Sequence, residues 1–321
     1  MWLAADVGGT KTLLGLFDDR AGRLHASVVR EYATTDFTTF PAMLDRFAGD
    51  TGPLRVRGAA MGVAGPVLDN QALLTNVGWA VDGAEVATHL GLPRVLVLND
   101  LAAIATSVGS LDESELVTLH EGQPDANGGA AVIAAGTGLG VALLQRGERY
   151  LIPAATESGH ADFAARSDDE LTLVRQIRYR FGRATVEHVL SGQGFVHLHR
   201  LTHGDRPCAA VHDLESEDAP AQISGAGLDG TCASCTRALE MFVEAYGAEA
   251  GNLALRSLPR GGVYVGGGIA PKILPALQDG RFMRAFLDKA PMEDLVARIP
   301  VYVILNQRAG LLGAAVAASR L

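Results

Sequence analysis

A glycine turn near the start of the chain carries residue types that can hold a phosphate group. It lies between two apolar runs in WLAADVGGTKTLLGLFD and contains Asp6, Gly8, Gly9 and Thr10. Two β-prone runs joined by such a turn predict a hairpin. In a hairpin bend, successive backbone N–H groups can face a phosphate, and a threonine hydroxyl adds a donor. A hairpin can also be purely architectural, so this turn alone does not establish a ligand.

A second turn of the same kind supports the phosphate interpretation. The stretch AVIAAGTGLGVALL places Gly136, Thr137 and Gly138 between two apolar runs. Neither turn matches the GxxxxGK[ST] phosphate loop, and neither clearly leads into a helix. Each turn is weak evidence by itself, but the pair favours a clamp for the phosphates of ATP. The repetition also suggests a duplicated fold that holds a ligand between its halves.

Two polar residues, Asn99 and Asp100, follow the apolar strand-like run in RVLVLND and precede a helix-like segment. Ligands bind at the carboxyl ends of strands in α/β sheets, so this position is a candidate for catalysis. The competing interpretation is that Asn or Asp caps the helix. Capping explains one polar residue well, but it explains two in succession less well.

Glu157, His160 and Glu187 are candidates for holding a polar ligand. Glu157 and His160 have the Glu-x-x-His spacing that binds metal on a helix, but Ser158 and Gly159 between them indicate a loop. A hydrogen-bonding pair is therefore favoured over a metal site, with a plain surface loop as the alternative. Glu187 is predicted near the start of a helix, where an acidic residue is ordinary.

The three cysteines do not form a recognisable metal or disulfide pattern. Cys232 and Cys235 make a lone C-x2-C, and Cys208 and several histidines lie within range. No second pair at zinc-ligand spacing is recognised, so a zinc or redox role is the less favoured interpretation. Cys232 and Cys235 are interpreted as half-buried residues at a helix start. Three cysteines make no disulfide framework, which favours a reducing, cytoplasmic setting.

Strand-like and helix-like runs alternate along most of the chain, which predicts an α/β fold with mostly buried sheets. The polar stretch 120–129 is the leading candidate for a linker. The predicted strands are VRGAAMGVAGPV, RVLVLND, AAVIAAGTGLGVALL, GGVYVGGGI and IPVYVIL, and the predicted helices include DELTLVRQIRYRFG and CTRALEMFVEAYGAEAGNLALRSL.

Composition limits the class of protein. The 321 residues favour two domains, and the net charge of −9 argues against a nucleic-acid partner, which needs clustered Lys and Arg. No targeting segment is recognised, because the first apolar run has no basic region before it and is interrupted by Asp6. The apolar stretch 309–318 falls far short of the ~20 residues that a membrane helix needs, so no membrane partner is expected.

Taken together, these strings resemble the bacterial glucokinase family, within the sugar-kinase/Hsp70/actin fold group. The resemblance implies a two-domain α/β sugar-kinase (actin-like ATPase) fold with an interdomain cleft that holds glucose and ATP. It implies a smaller domain of residues 1–110 and 301–321, completed by the C-terminal helix, and a larger domain of residues 111–300. The strings occur in the family's order: DVGGTKT, TNVGWAV, NDLAA, AGTGLGVA, ESGHADFA, VEHVLSG, GNLAL, GGVYVGGGIAPKIL, IPVYVIL and GLLGAA.

The resemblance also implies a role for each candidate residue. Asp100 is the expected catalytic base, and Mg²⁺ is expected to arrive with ATP and lie near Asp6, with no metal bound directly by the protein. A homodimer is expected. Ser158 and Gln193 replace the family's usual glycine and proline beside sugar ligands, which leaves fine specificity open. The implied glucose ligands are Asn99, Glu157, His160 and Glu187, and the implied ATP-binding residues are Asp6, Gly8, Gly9, Thr10, Gly136, Thr137, Gly138, Gly266, Gly267 and Gly268.

Three other functions are compared with a glucose kinase. A kinase for another hexose, such as mannose or an N-acetylated hexosamine, would differ mainly in pocket shape. A non-catalytic sugar-sensing repressor would need an N-terminal helix-turn-helix, for which the early first strand leaves no room. An ATPase acting on protein partners has no need of the Asn99–Asp100 pair together with Glu157 and His160.

Overall fold

Two structural units divide the chain in the computed structural model, which describes residues 1–74, 77–204 and 206–321. Thr75 and Asn76, which belong to the TNVGWAV string, and Asp205 lie outside the described residues. The first unit comprises Met1–Glu113, Gly147–Ala155 and Asn306–Leu321, and the second comprises Ser114–Arg146 and Thr156–Leu305.

The first unit is built on a five-stranded sheet with the order β3-β2-β1-β4-β7. The predicted hairpin is confirmed: β1 and β2 are antiparallel, with Val7 opposite Thr12. β4 and β7 extend the sheet with parallel pairing, and β4 is buried along its whole length, as a central parallel strand should be. The strands are β1 (Trp2–Val7), β2 (Lys11–Arg20), β3 (Arg23–Ala33), β4 (Ala59–Val63), β5 (Gln71–Leu74), β6 (Trp79–Asp82) and β7 (Leu96–Asn99), of which β5 and β6 form a separate ribbon.

The described part of this unit includes four α-helices, and two of them pack closely together. A Cβ atom at Gly313 would overlap the carbonyl oxygen of Ala103, so only glycine permits this approach. The contact holds the last helix against the helix that begins at Asp100. The helices are α1 (Phe40–Thr51), α2 (Gly83–Leu90), α3 (Asp100–Ser107) and α11 (Ala309–Ser319).

The second unit repeats the strand arrangement of the first. Its sheet has the order β11-β10-β9-β12-β13-β8, with an antiparallel β9–β10 hairpin followed by parallel β12 and β13. The predicted duplication is therefore visible in the topology, because hairpin and parallel neighbours recur in the same order. The strands are β8 (Leu116–His120), β9 (Ala130–Ala135), β10 (Leu139–Arg146), β11 (Leu151–Thr156), β12 (Gly262–Gly266) and β13 (Val301–Ile304).

A large apolar core lies between this sheet and its helices. Phe195 and Phe242 stack with ring centroids 4.1 Å apart, which joins α5 to the long helix α7. No helix in the described ranges is both long and apolar enough to cross a bilayer. The helices are α4 (Asp168–Phe181), α5 (Gly192–His203), α6 (Ala219–Leu228), α7 (Ala233–Ser257), α8 (Leu274–Gln278), α9 (Arg281–Leu287) and α10 (Glu293–Val296).

One expectation about organisation is wrong, and the two units differ from the implied domain boundaries at two places. Residues 120–129 are not a linker, because the Gln123 N–H donates to the Arg298 carbonyl at 2.7 Å and fixes the stretch within the second unit. Residues 147–155, which carry most of strand β11 of the six-stranded sheet, are nevertheless grouped by their contacts with the first unit, in which the Arg320 guanidinium lies 4.2 Å from the centre of the Tyr150 ring. Strand β13 groups with the second unit, because it pairs with β12 and β8.

Candidate active site

The first glycine turn is closed and braced by backbone and hydroxyl groups. The Gly8 N–H donates to the Lys11 carbonyl at 2.9 Å, which closes the bend between β1 and β2. The buried Thr34 hydroxyl donates to the Gly8 carbonyl at 2.8 Å, and the Thr34 N–H donates to the Thr10 carbonyl at 2.9 Å. The bend is therefore held in one shape before any ligand binds.

Asp6 lies at the end of β1, in surroundings that oppose its ionisation. Burial raises the pKa of its carboxyl from 3.8 to about 6, the Asp100 carboxylate adds to the rise, and Lys11 opposes it. A Cβ atom at Gly310 would lie 2.9 Å from Asp6 Oδ2, so the first turn of α11 reaches this carboxyl. The fold thus brings Asp6 and Asp100 close enough to affect one another.

Asn99, not Asp100, caps α3. Asn99 Oδ1 accepts from the N–H groups of Leu101 at 3.0 Å and Ala102 at 3.3 Å, while its side-chain amide donates to the Gly65 carbonyl at 3.0 Å. Asp100 occupies the first helical position, and its Oδ1 also accepts from the Leu101 N–H, at 2.8 Å. Since Asn99 supplies the cap, helix capping does not account for the carboxylate of Asp100.

The second glycine turn is held by Glu187. The Gly136 N–H donates to the Gly138 carbonyl at 2.8 Å, and Glu187 Oε2 accepts from the Leu139 N–H at 2.8 Å. A Cβ atom at Gly138 would lie 2.6 Å from the same carboxylate oxygen. Glu187 was predicted near a helix start, but it lies in a turn region before α5, whose cap is Ser191.

The Glu157–His160 segment lies next to the carboxylate of Glu187. A short 3-10 helix covers Ser158–His160, and His160 Nδ1 lies 3.8 Å from Glu187 Oε1. The Glu187 N–H donates to the Gly159 carbonyl at 2.9 Å. Glu187 therefore connects the predicted sugar-binding segment to the predicted phosphate turn. The unusual Ser158 hydroxyl lies 2.7 Å from the Thr156 hydroxyl and so is engaged within its own segment.

The third motif, Gly266 to Gly268, lies where β12 ends and packs against the second turn. Gly267 has a φ of +84°, and a Cβ there would overlap the Ala135 carbonyl, so glycine is required. The fully buried Tyr246 links these two segments. Its hydroxyl accepts from the Ala135 N–H at 3.2 Å and lies 3.1 Å from the Ile133 carbonyl and 3.3 Å from that of Gly266.

Sequence reasoning missed Tyr246, because nothing distinguishes it from the other buried residues of α7. The structure gathers the predicted residues into two sets, one within each unit. The first set is Asp6, Gly8, Gly9, Thr10, Asn99 and Asp100; the second is Gly136, Thr137, Gly138, Glu157, His160, Glu187, Gly266, Gly267 and Gly268.

Comparison with known proteins places the chain in a family. The profile of the family described as Glucokinase matches residues 3–321. A glucokinase from Nostoc sp. strain PCC 7120 is 38% identical over 339 aligned positions, which cover 99% of both chains. The crystal structure of a glucokinase from an Antarctic psychrotroph superposes with a TM-score of 0.89 at 29% identity, covering 100% of this chain and 99% of the other.

A more distant structure shares the fold alone. It is a ROK family glucokinase from Streptomyces griseus in complex with glucose and AMPPNP, with a TM-score of 0.66, 23% identity and 99% of both chains covered. These similarities confirm the two-domain α/β sugar-kinase fold expected from the sequence. With a family profile matched from residue 3 to residue 321 and full-length relatives above 30% identity, the chain belongs to the glucokinase family.

Proposed function

We propose that this chain transfers the γ-phosphoryl group of ATP to the 6-hydroxyl of glucose, with Asp100 as the general base. Membership of the glucokinase family supports an ATP-dependent glucose kinase. The roles of individual residues are inferred from their surroundings. Products of the reaction are ADP and glucose 6-phosphate.

One observation carries the assignment of the base. Asp100 stands at the start of α3, while the neighbouring Asn99 already satisfies the helix N-terminus. The helix dipole favours a carboxylate over a neutral side chain at that position, and a carboxylate beside a bound hydroxyl can act as its proton acceptor. A hydroxyl is a poor nucleophile, and a positioned base contributes roughly 10²–10⁴-fold to such a transfer.

The glycine motifs are proposed to hold the phosphates of ATP. Phosphoryl transfer depends mainly on positioning and on neutralising charge. The N–H groups of Gly8 and Gly136 close the two turns, and the N–H groups that follow them in each turn are proposed to face the phosphates. The Gly266–Gly268 segment adjoins the second turn.

The surroundings of Asp6 fit a magnesium ion bound with ATP. Burial and the nearby Asp100 make a second negative charge unfavourable there, as shown by the raised pKa of Asp6, and a cation would relieve that repulsion. Mg²⁺ would neutralise charge on the phosphates when bound. Asp6 would orient its water shell rather than bind it directly.

Glucose is proposed to hydrogen-bond to Asn99, Glu157, His160 and Glu187. Carboxylates accept hydrogen bonds from sugar hydroxyls, and such bonds to charged groups are among the stronger ones. Glu187 has one oxygen committed to Leu139, which leaves Oε1, beside His160, for a hydroxyl. We also propose, from the family resemblance, a cytoplasmic location and a homodimer. Light scattering after gel filtration would test the homodimer.

The decisive experiment replaces Asp100 with asparagine. Asp100→Asn keeps the shape but cannot accept the proton, so we expect kcat in a coupled glucose assay to fall by roughly 10²–10⁴-fold. Glucose affinity by calorimetry should change little. A panel of hexoses and phosphoryl donors, run on the unmodified protein, tests the choice of glucose and ATP.

Asp82→Asn is the matched control. Asp82 Oδ1 caps α2 by accepting from the Ala84 N–H at 2.7 Å, and asparagine caps a helix equally well. This variant should retain normal kcat. If Asp100→Asn behaved like Asp82→Asn, Asp100 would be only a structural residue and the proposed base would be wrong.

A further inference from the structure

The second unit contains a cluster of histidine and cysteine side chains that the proposed phosphoryl transfer does not use. His199 and His203 lie one turn apart near the end of α5, Cys235 lies in the first turn of α7, and Cys208 lies in the segment between the helices. One ligand atom from each of these four residues lies within 4.8 Å of the others. Three separate segments of the chain therefore converge on one point.

The geometry agrees with a tetrahedral metal site. Cys208 Sγ and Cys235 Sγ are 3.7 Å apart, and two thiolates at the usual Zn–S distance in a tetrahedron are about 3.8 Å apart. The rings of His199 and His203 stack with centroids 3.7 Å apart and an interplanar angle of 15°. Both rings can therefore direct a nitrogen toward the same point.

His199 provides an independent indication of a ligand. It is only 4% exposed, and among the described residues neither of its ring nitrogens has a hydrogen-bond partner. An unpaired buried polar group is costly, and native structures rarely leave one. A metal ion bound to one of these nitrogens would give the buried ring the partner that it lacks.

His203 is already oriented as a ligand. Its Nδ1 lies 3.2 Å from the carbonyl oxygen of His199, to which it can donate. That bond would place the ring proton on Nδ1 and leave the lone pair on Nε2. Backbone carbonyls commonly orient ligating histidines in this way. Nε2 lies 3.3 Å from the Sγ of Cys232, the remaining thiol beside the cluster.

A route to the cluster exists at the surface. Among the residues that line an open cavity of about 480 Å³ are His203, Cys208 and Cys232. An ion could therefore reach the site from solvent in the folded protein. Cys235 and His199 lie deeper, at 0% and 4% exposure.

We propose that His199, His203, Cys208 and Cys235 bind a structural zinc ion. Two thiolates and two imidazoles form a donor set that zinc prefers, and four protein ligands leave no open position for chemistry. On binding, the two cysteine thiols lose their protons to solvent as thiolate–zinc bonds form. The ion joins the end of α5 to the beginning of α7. These helices also support the second turn, through the Gly192 N–H bond to the Gly136 carbonyl at 2.8 Å and through Tyr246.

The test uses the full chain, purified without a polyhistidine tag or chelator under reducing conditions. Mass spectrometry of the metal content should find about one zinc ion per chain. Cys208→Ser, Cys235→Ser and His199→Leu should lose at least 80% of it. Replacing the metal with Co²⁺ should give the intense visible bands of a tetrahedral site and a thiolate charge-transfer band.

His197→Leu is the matched control for His199→Leu. His197 is on the same helix and is also buried, at 6% exposure, but it lies outside the cluster. It should keep full zinc content. Cys232→Ser should keep it too, and loss of zinc in that variant would overturn the assigned ligand set.

The direction in which His199→Leu changes the Tm provides a second test. With zinc bound, His199→Leu removes a ligand, so its Tm should fall below that of the unmodified protein and should no longer respond to a zinc chelator. Without zinc, leucine would replace a ring with two unpaired nitrogens, and Tm should rise. A rise in Tm, or an unmodified protein that takes up no zinc, would overturn the proposal. A count of free thiols in the denatured, metal-free protein gives a third measurement. A count two below the 3 cysteines of the chain would also overturn the proposal, because two cysteines would then form a disulfide.

Discussion

Asp6 is a carboxyl group whose surroundings favour the protonated form. Its pKa is 3.8 in an unperturbed chain and about 6 in the folded protein. The folded state therefore binds this proton more tightly than the unfolded state does. The resulting stabilisation is complete below pH 3.8 and is lost as the pH rises through about 6.

We expect Asp6→Asn to remove the loss of stability that accompanies the ionisation of Asp6. In the absence of ATP and Mg²⁺, the variant should be more stable than the unmodified protein at pH 8, by on the order of 3 kcal/mol. The difference should shrink as the pH falls below 6. Urea unfolding at several pH values measures it, with Asp82→Asn as the control. A difference independent of pH would contradict the raised pKa of Asp6.

Glu187 has a separate contact on each carboxylate oxygen, which allows its two proposed functions to be tested separately. Oε2 accepts from the Leu139 N–H at 2.8 Å, and Oε1 lies beside His160. Glu187→Gln keeps an acceptor for Leu139 but loses the charge, so the KM for glucose should rise by roughly 10-fold or more, as expected for a bond to a charged group. The KM for ATP should change little.

Glu187→Ala should behave differently, because it also leaves the Leu139 N–H without its acceptor. This variant should raise the KM for ATP as well, since the second glycine turn loses its support. Steady-state kinetics with each substrate varied separately makes the comparison. Equal effects of the two substitutions on both KM values would contradict a division of function between the two oxygens.

Candidate site residues stand out in the sequence where chemistry and local sequence coincide. Asn99 and Asp100 stand at the junction of an apolar strand and a helix, and the glycine turns interrupt apolar runs. The cluster around His199 was not predictable from spacing, because its ligands come from three segments. The four-residue interval from His199 to His203 is the signal that could have suggested it, once α5 is recognised as a helix.

At the scale of elements, the fully buried Tyr246 connects the ends of two parallel strands. Its hydroxyl contacts backbone groups of Ile133 and Ala135 on β9 and of Gly266 on β12. Each strand leads into a glycine motif proposed to hold ATP. We therefore expect Tyr246 to position these two motifs through its contacts with their backbone.

We expect Tyr246→Phe to raise the KM for ATP more than the KM for glucose. Its free energy of unfolding should fall by about 1–3 kcal/mol, because buried backbone groups lose a partner. Tyr264→Phe is the control, since the hydroxyl of Tyr264 makes a long contact of 3.5 Å with the Gly261 carbonyl. A loss of stability with unchanged KM for ATP would show that Tyr246 is purely structural.

Strands with continuous apolar runs were predicted well, and this includes the repeated hairpins. A buried parallel strand needs apolar residues on both faces, so β4, β9 and β12 are evident in the sequence. The stretch 120–129 was mistaken for a linker because its residues are polar. It is held by backbone hydrogen bonds, such as the one from the Gln123 N–H to the Arg298 carbonyl. Such bonds cannot be inferred from side-chain composition.

At the scale of the whole molecule, each unit has a hydrophobic core of its own. One core includes Phe40 and Phe47 of the first unit, and the largest includes Phe242 and Phe286 of the second. The proposed glucose ligands are distributed over both units, with Asn99 in the first and the other three in the second. Glucose bound by these residues should therefore stabilise both units.

Hydrogen exchange followed by mass spectrometry can test this in each unit separately. A ligand at 100 times its Kd stabilises the state that binds it by about 2.7 kcal/mol. Saturating glucose should therefore slow exchange both at residues 96–107, around Asn99, and at residues 156–192, around Glu157 and Glu187. Sorbitol, an open-chain hexitol with similar hydroxyls, is the control and should protect neither segment. Protection confined to one segment would mean that the other unit does not bind glucose, and its assigned ligands would have to be withdrawn.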